Sequence, residues 1–200
     1  MAPRRSQRRQ KRAERRTVLL LTNGRKTEKT YLESLKRRVG RGISVNTRLI
    51  EGDPSTILKE LKGPRSDIRA YREVWIVVDH DGTDREGFLA GCRSLSSRQT
   101  TVHGAVSVPC FEVWLNAHYE PIRSYQDQRD AQRHYRELTG LPSGQDKEIP
   151  GSFPWDAMEQ AARRCYLPSQ GLPGLDTQGP CPSTTMPHLL RSLGLLDELS

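Results

Sequence analysis

Long apolar runs are missing from these 200 residues, and no stretch nears the roughly 18 residues a membrane span needs. Mean hydropathy is −0.73. The basic N-terminus is not followed by an apolar core segment, so a secretory signal is not expected. Cysteines are few (Cys92, Cys110, Cys165 and Cys181), with no C-x-x-C pair and no histidine at zinc-finger spacing. That argues against a disulfide framework and a structural zinc, and makes a reducing cytoplasm the expected location. The five histidines form no ligand pair at i, i+4, and no Ser/His/Asp or Cys/His order stands out. No internal repeat is visible. Hydrophobic residues reach only 34% and aromatics 6%, yet the length suffices for one domain with a core.

Charge is present in quantity but unevenly spread. Residues 1–16 hold eight Lys/Arg against one Glu, a net of +7 out of a total of +8. The remainder is nearly neutral. Such a dense run repels itself and buries nothing, so a disordered basic arm is expected over 1–16. It is either a solvated tail or a clamp on nucleic-acid phosphate through counterion release, with Arg4, Arg5, Arg8 and Arg9 as contacts.

Behind the arm, Thr17–Thr22 reads as a buried strand and Thr27 to about Val39 as a helix. Ile43–Ile50 is a second strand candidate, and Asp53-Pro54-Ser55 opens a helix to about Leu61. Glu73–Val78 is the strongest strand, apolar on both sides as in a parallel sheet covered by helices. Asp84 to about Leu95 predicts a crossover helix and Thr101–Ser107 a fourth strand. Pro109 is expected in the first turn of a helix over Cys110–Tyr119. This alternation predicts an α/β core over 17–120 with a mainly parallel sheet of about four strands. Helices over Tyr125–Leu138 and Trp155–Tyr166, a loop over 167–182 and a last helix capped by Ser183 predict a helical extension over 121–200 packed on that core.

Ligands in open α/β sheets bind beyond the carboxyl ends of the strands, and three polar clusters fall there. Asp79 and Asp81 are two apart, so an extended backbone projects both to one side. They suit a magnesium ion, which takes one or two carboxylates plus substrate phosphate, but Asp-His-Asp-Gly is also plain turn chemistry. His80 is expected to point away from them. Thr22 to Glu28 fails as a P-loop, because Leu19 stands where the first glycine would be and Arg25 separates Gly24 from Lys26. It is either a phosphate-binding loop, with Asn23, Gly24, Arg25 and Lys26 leading to a capping hydroxyl at Thr27, or an ordinary helix cap. Glu112 is a capping acid or a site acid. Cys110, Val113, Trp114 and Ala117 share a core stripe that leaves Glu112 and Asn116 on another face.

Three segments, TVLLLTNGRKTEKTYLESL, EVWIVVDHDG and SVPCFEVWLNAHY, together resemble in order and spacing the RloB-like family of prokaryotic proteins. The resemblance runs from about Thr17 to Leu196. It implies a Toprim-related α/β domain whose strand ends carry a glutamate and a D-x-D pair that bind Mg²⁺ or Mn²⁺. It implies cleavage or rejoining of phosphodiester bonds in DNA or RNA. It also implies a place in restriction or phage-defence loci, commonly beside an AAA/ABC-type ATPase. By the same resemblance Asp79, Asp81 and Glu112 are the metal ligands and Lys147 a phosphate-charge stabiliser. One departure stands out: the family's first motif reads like C-E-G-E-K-T-E, and here Asn23 replaces the expected glutamate and Arg25 the second acid. An amide exchanges no proton at neutral pH. Glu28 survives and joins the expected catalytic set. The implied function is a metal-dependent nuclease. The alternative is an inactive nucleic-acid-binding or partner subunit of an ATPase-containing complex.

Overall fold

The computed structural model describes residues 15–142 and 148–197. The arm residues Arg4, Arg5, Arg8 and Arg9, and Lys147, lie outside them.

Apolar side chains on both sides of a strand require cover on both faces, and this decides the layering. β1 (Arg16–Thr22), β2 (Ile43–Leu49), β3 (Glu73–Asp79) and β4 (Thr101–Val108) form a parallel sheet. Along β1, Val18 and Leu20 face one cluster, with Tyr31, Leu32 and Leu35 of α1 (Thr27–Arg38). Leu19 and Leu21 face the other, with Ile57 and Leu61 of α2 (Pro54–Lys62) and Leu89 of α3 (Glu86–Leu95). The first cluster also takes in α4 (Glu112–Tyr119), α5 (Gln128–Thr139), α6 (Met158–Arg164) and α7 (Met186–Ser192). Residues on both sides of position 120 therefore share one core.

The sheet has one strand beyond the four expected. β5 (Ser183–Thr184) pairs antiparallel with the end of β4, giving the order β2-β1-β3-β4-β5. Ser183 is thus a strand residue and not the cap of the last helix, which Thr185 precedes. Pro109 also stands outside its helix, since α4 begins only at Glu112, after Phe111. Thr27 is the first residue of α1 rather than its cap; Lys26 holds the cap position and makes no capping side-chain bond. The helix expected over Trp155–Tyr166 divides into a 3-10 turn at Trp155–Ala157 and α6.

Strand order sets where a ligand can enter. From β1 the chain moves to β2 on one side and then to β3 on the other. The direction of winding thus reverses between β1 and β3, and the crevice beyond their carboxyl ends is the switch point at which such sheets bind ligands.

Candidate active site

That crevice is a cavity of about 420 Å³. The β1–α1 loop lines it from Asn23 to Glu28, the end of β3 contributes Asp79 and Asp81, and α4 contributes Glu112. The three acids singled out as metal ligands therefore meet Glu28 and the loop at one place. Gln128 and Gln132, one turn apart on α5, complete the wall. Sequence reading placed their helix in the extension; the i, i+4 pair of amides was the only available signal.

Each side chain is positioned by identifiable backbone features. Asp79 ends β3, and its Oδ1 is closed off from solvent with no hydrogen-bond partner. Asp81 is not on an extended backbone, as the two-residue spacing assumed. It sits at φ 49°, a left-handed conformation that aspartate tolerates better than most residues. Its N–H donates to the Pro109 carbonyl at 3.1 Å, and the His80 N–H donates to the Ser107 carbonyl at 2.9 Å, so the turn is tied to the end of β4. His80 accepts the Gly82 N–H through Nδ1, and it is not part of the pocket wall.

Glu112 is 4% exposed and Asn116 0%, so the face they share is not a solvent face. The reason is tertiary: α5 covers it, and the Asn116 amide donates to the Tyr125 hydroxyl at 3.0 Å and the Ala131 carbonyl at 3.1 Å. Behind Glu112, burial holds the His118 imidazole down to about 3, neutral between the Trp114 carbonyl and the Tyr31 hydroxyl. That histidine secures α1 against α4 and takes no part in the pocket.

The loop is anchored as well. Asn23 Nδ2 donates to the Gly52 carbonyl at 3.0 Å, joining the β1–α1 loop to the β2–α2 loop. The Gly24 N–H donates to Thr22 Oγ1 at 2.9 Å, and Arg25 pairs with Glu51 at 2.9 Å on the exposed rim. Sequence reading missed Arg85 altogether. It is 7% exposed, and its Nε donates to the Asp79 carbonyl at 2.8 Å. Its guanidinium lies 3.9 Å from Asp53, the residue that caps α2.

Electrostatically, the pocket is a concentration of like charge. Burial pushes the Asp79 carboxyl well above its ordinary range, and Glu28, Glu112 and Asp81 push it further; only the Phe111 amide opposes them. Cys110 is pushed up first by burial and then by Glu112 and Asp79, so its thiol stays protonated and is a poor nucleophile.

Whether these residues suit a magnesium ion is a matter of donor chemistry. Among the described residues no group of three or more His, Cys, Asp or Glu side chains is one that could hold a metal ion as it stands. The donor set is all oxygen, however, and the buried Asp79 Oδ1 without a partner is the kind of atom a hard cation satisfies. In donor chemistry, these residue types are the ones such an ion takes. Among the described residues no helix is long and apolar enough to cross a membrane.

No curated protein and no solved structure matches this chain. The family model described as RloB-like protein matches residues 18–193, which spans every strand and helix that builds the pocket, and the chain belongs to the RloB-like family.

Proposed function

We propose that this chain is a divalent-metal-dependent phosphodiesterase acting on nucleic acid, working in a defence setting. One observation carries the reading: Glu28, Asp79, Asp81 and Glu112, from three separate segments, line one cavity at the switch point of the sheet. Burial first, and then the neighbouring Glu28, Glu112 and Asp81, raise the Asp79 carboxyl above its ordinary range, and a cation or a proton there would relieve both. Asp79, Asp81 and Glu112 would hold the ion, Mg²⁺ or Mn²⁺. When bound, the ion supplies a water of lowered pKa and stabilises charge on the phosphoryl oxygens.

The remaining residues divide the work around it. Glu28 would accept a proton from the attacking water. Lys26 and Arg25 line the same wall and would neutralise the phosphate, with Gln128 and Gln132 as neutral hydrogen-bonding partners. Cleavage of labelled DNA and tRNA, with and without Mg²⁺ or Mn²⁺, tests the reading. Metal-dependent cleavage that Asp79→Ala abolishes is expected; no cleavage under any of these conditions overturns it.

A second reading has its own observation. Asn23 stands where the family pattern has an acid, and its amide is spent on the Gly52 carbonyl. That favours a subunit that binds nucleic acid, or a partner such as an AAA/ABC-type ATPase, without cutting. Nucleic-acid binding with no cleavage would select it.

A further inference from the structure

The opposite end of the sheet carries a second concentration of charge, of the other sign. Arg15, Arg16, Arg69 and Arg72 line a cleft of about 680 Å³ together with Tyr71 and Gln99. Arg16 starts β1, Arg72 immediately precedes β3, and Arg69 lies in the 3-10 turn Ile68–Ala70. All sit at the amino ends of the parallel strands, whereas the acidic pocket lies beyond the carboxyl ends. Seven-residue strands separate the two by roughly 20 Å.

These arginines are only partly used within the fold. Arg16 pairs with Glu73 at 3.2 Å. Among the described residues no carboxylate pairs with Arg15, Arg69 or Arg72. Asp67, two residues before Arg69, is taken by Arg48 at 2.7 Å. The Arg72 backbone is fixed: its N–H donates to the Thr17 carbonyl and its carbonyl accepts the Thr101 N–H, both at 2.9 Å. The exposed guanidinium groups of Arg15, Arg69 and Arg72, which no carboxylate among the described residues meets, suit an anion.

Its chemistry favours one kind of anion. A second cavity, of about 580 Å³, adjoins across Arg69 and adds Lys62 with the hydroxyls of Ser94, Ser96 and Ser97. The result is an elongated track of positive charge with Tyr71 beside it, while the Ser94 and Ser96 hydroxyls donate to the Gly91 and Val102 carbonyls. Proteins that hold single-stranded nucleic acid combine such a charged groove with aromatic faces for the bases. A folded protein partner would instead call for an apolar interface centre. The only large hydrophobic side chain exposed among the described residues is Leu175, and it lines neither cavity. The chain also enters this rim directly from the Arg-rich residues 1–14.

We infer that the Arg15–Arg16–Arg69–Arg72 cleft is a second nucleic-acid site, which grips the phosphodiester backbone of a single strand at the end of the sheet remote from the acids. The inference extends the nucleic-acid reading of the acidic pocket and rests on it. A strand held here would be retained while another part of it reaches the carboxylates, and these arginines would set affinity without taking part in bond breaking.

The test measures binding of a labelled single-stranded oligonucleotide to the full chain without divalent ions, across a salt titration. The double variant Arg69→Gln/Arg72→Gln should bind about tenfold more weakly and lower the slope of log affinity against log salt by about 1 to 2. Arg69→Lys/Arg72→Lys should keep most of the slope, and Arg163→Gln, on α6, should match the unmodified chain. A Gln double variant with an unchanged slope overturns the proposal. So does tight binding of a poly-glutamate of equal length in place of the oligonucleotide. Full binding here without any metal-dependent cleavage overturns the catalytic reading and leaves this one standing.

Discussion

The Glu28 carboxylate occupies the space beside the Gly24 Cα where the Cβ of any other residue would stand. Glycine at 24 is therefore a condition for an acid in the first turn of α1 to fold back over the loop and reach the pocket. Gly24→Ala would force that carboxylate out. It should cost at least tenfold in metal-dependent cleavage while leaving the thermal midpoint within a few degrees. Cleavage kinetics beside a melting curve check this, and unchanged cleavage would remove Glu28 from the site.

Asp79 makes a prediction about pH. Its folded-state pKa lies above the unfolded value, so the native state binds the extra proton and charging it opposes folding. The penalty is absent below the ordinary carboxylate range and grows as pH rises above it. In metal-free buffer Asp79→Asn should therefore raise stability at neutral pH. The gain should vanish in acid. Melting curves from pH 4 to 8 would show the two proteins converging at the low end; a gain independent of pH would contradict the assignment.

Asn23 yields a prediction with two opposing signs. An ionised glutamate cannot donate to the Gly52 carbonyl, and it adds a fifth acid to the pocket. Asn23→Glu should lower metal-free stability by about 1 kcal/mol. It should also raise affinity for Mn²⁺, so that saturating metal restores the midpoint. Melting with and without Mn²⁺ reads both effects, and a variant that is no less stable without metal would show that the Gly52 contact is unimportant.

Arg85 is a positioning residue. Its buried Nε holds the Asp79 carbonyl. Arg85→Met would free that carbonyl and leave the turn carrying Asp81 less well held, so cleavage should fall more than oligonucleotide binding. Arg85→Lys should recover part of the loss in stability but little of the cleavage, because one ammonium cannot match the geometry of the guanidinium. Equal losses in binding and cleavage for both variants would indicate a merely structural role.

The layers and the location of the pocket were legible in the sequence, because their signals are local. TVLLLT and EVWIVV are apolar on both sides only if both faces of the sheet are covered, and the polar loops after them mark the carboxyl ends. What escaped was set by tertiary contact. A helical wheel separates Glu112 and Asn116 from the stripe of Trp114 but cannot reveal that α5 lies over them. β5 has two residues, Ser183 and Thr184, too few for any period, and the same serine makes a good cap on paper. The left-handed Asp81 and the inward Arg85 depend on the path of the chain after β3, which spacing does not record.

Manganese binding followed by electron paramagnetic resonance tests the central claim most directly. The unmodified chain should take up Mn²⁺, and Asp79→Asn and Glu112→Gln should each weaken that uptake at least tenfold while their melting curves remain cooperative. Equal Mn²⁺ affinity in all three proteins would contradict the assignment of these carboxylates to a metal site.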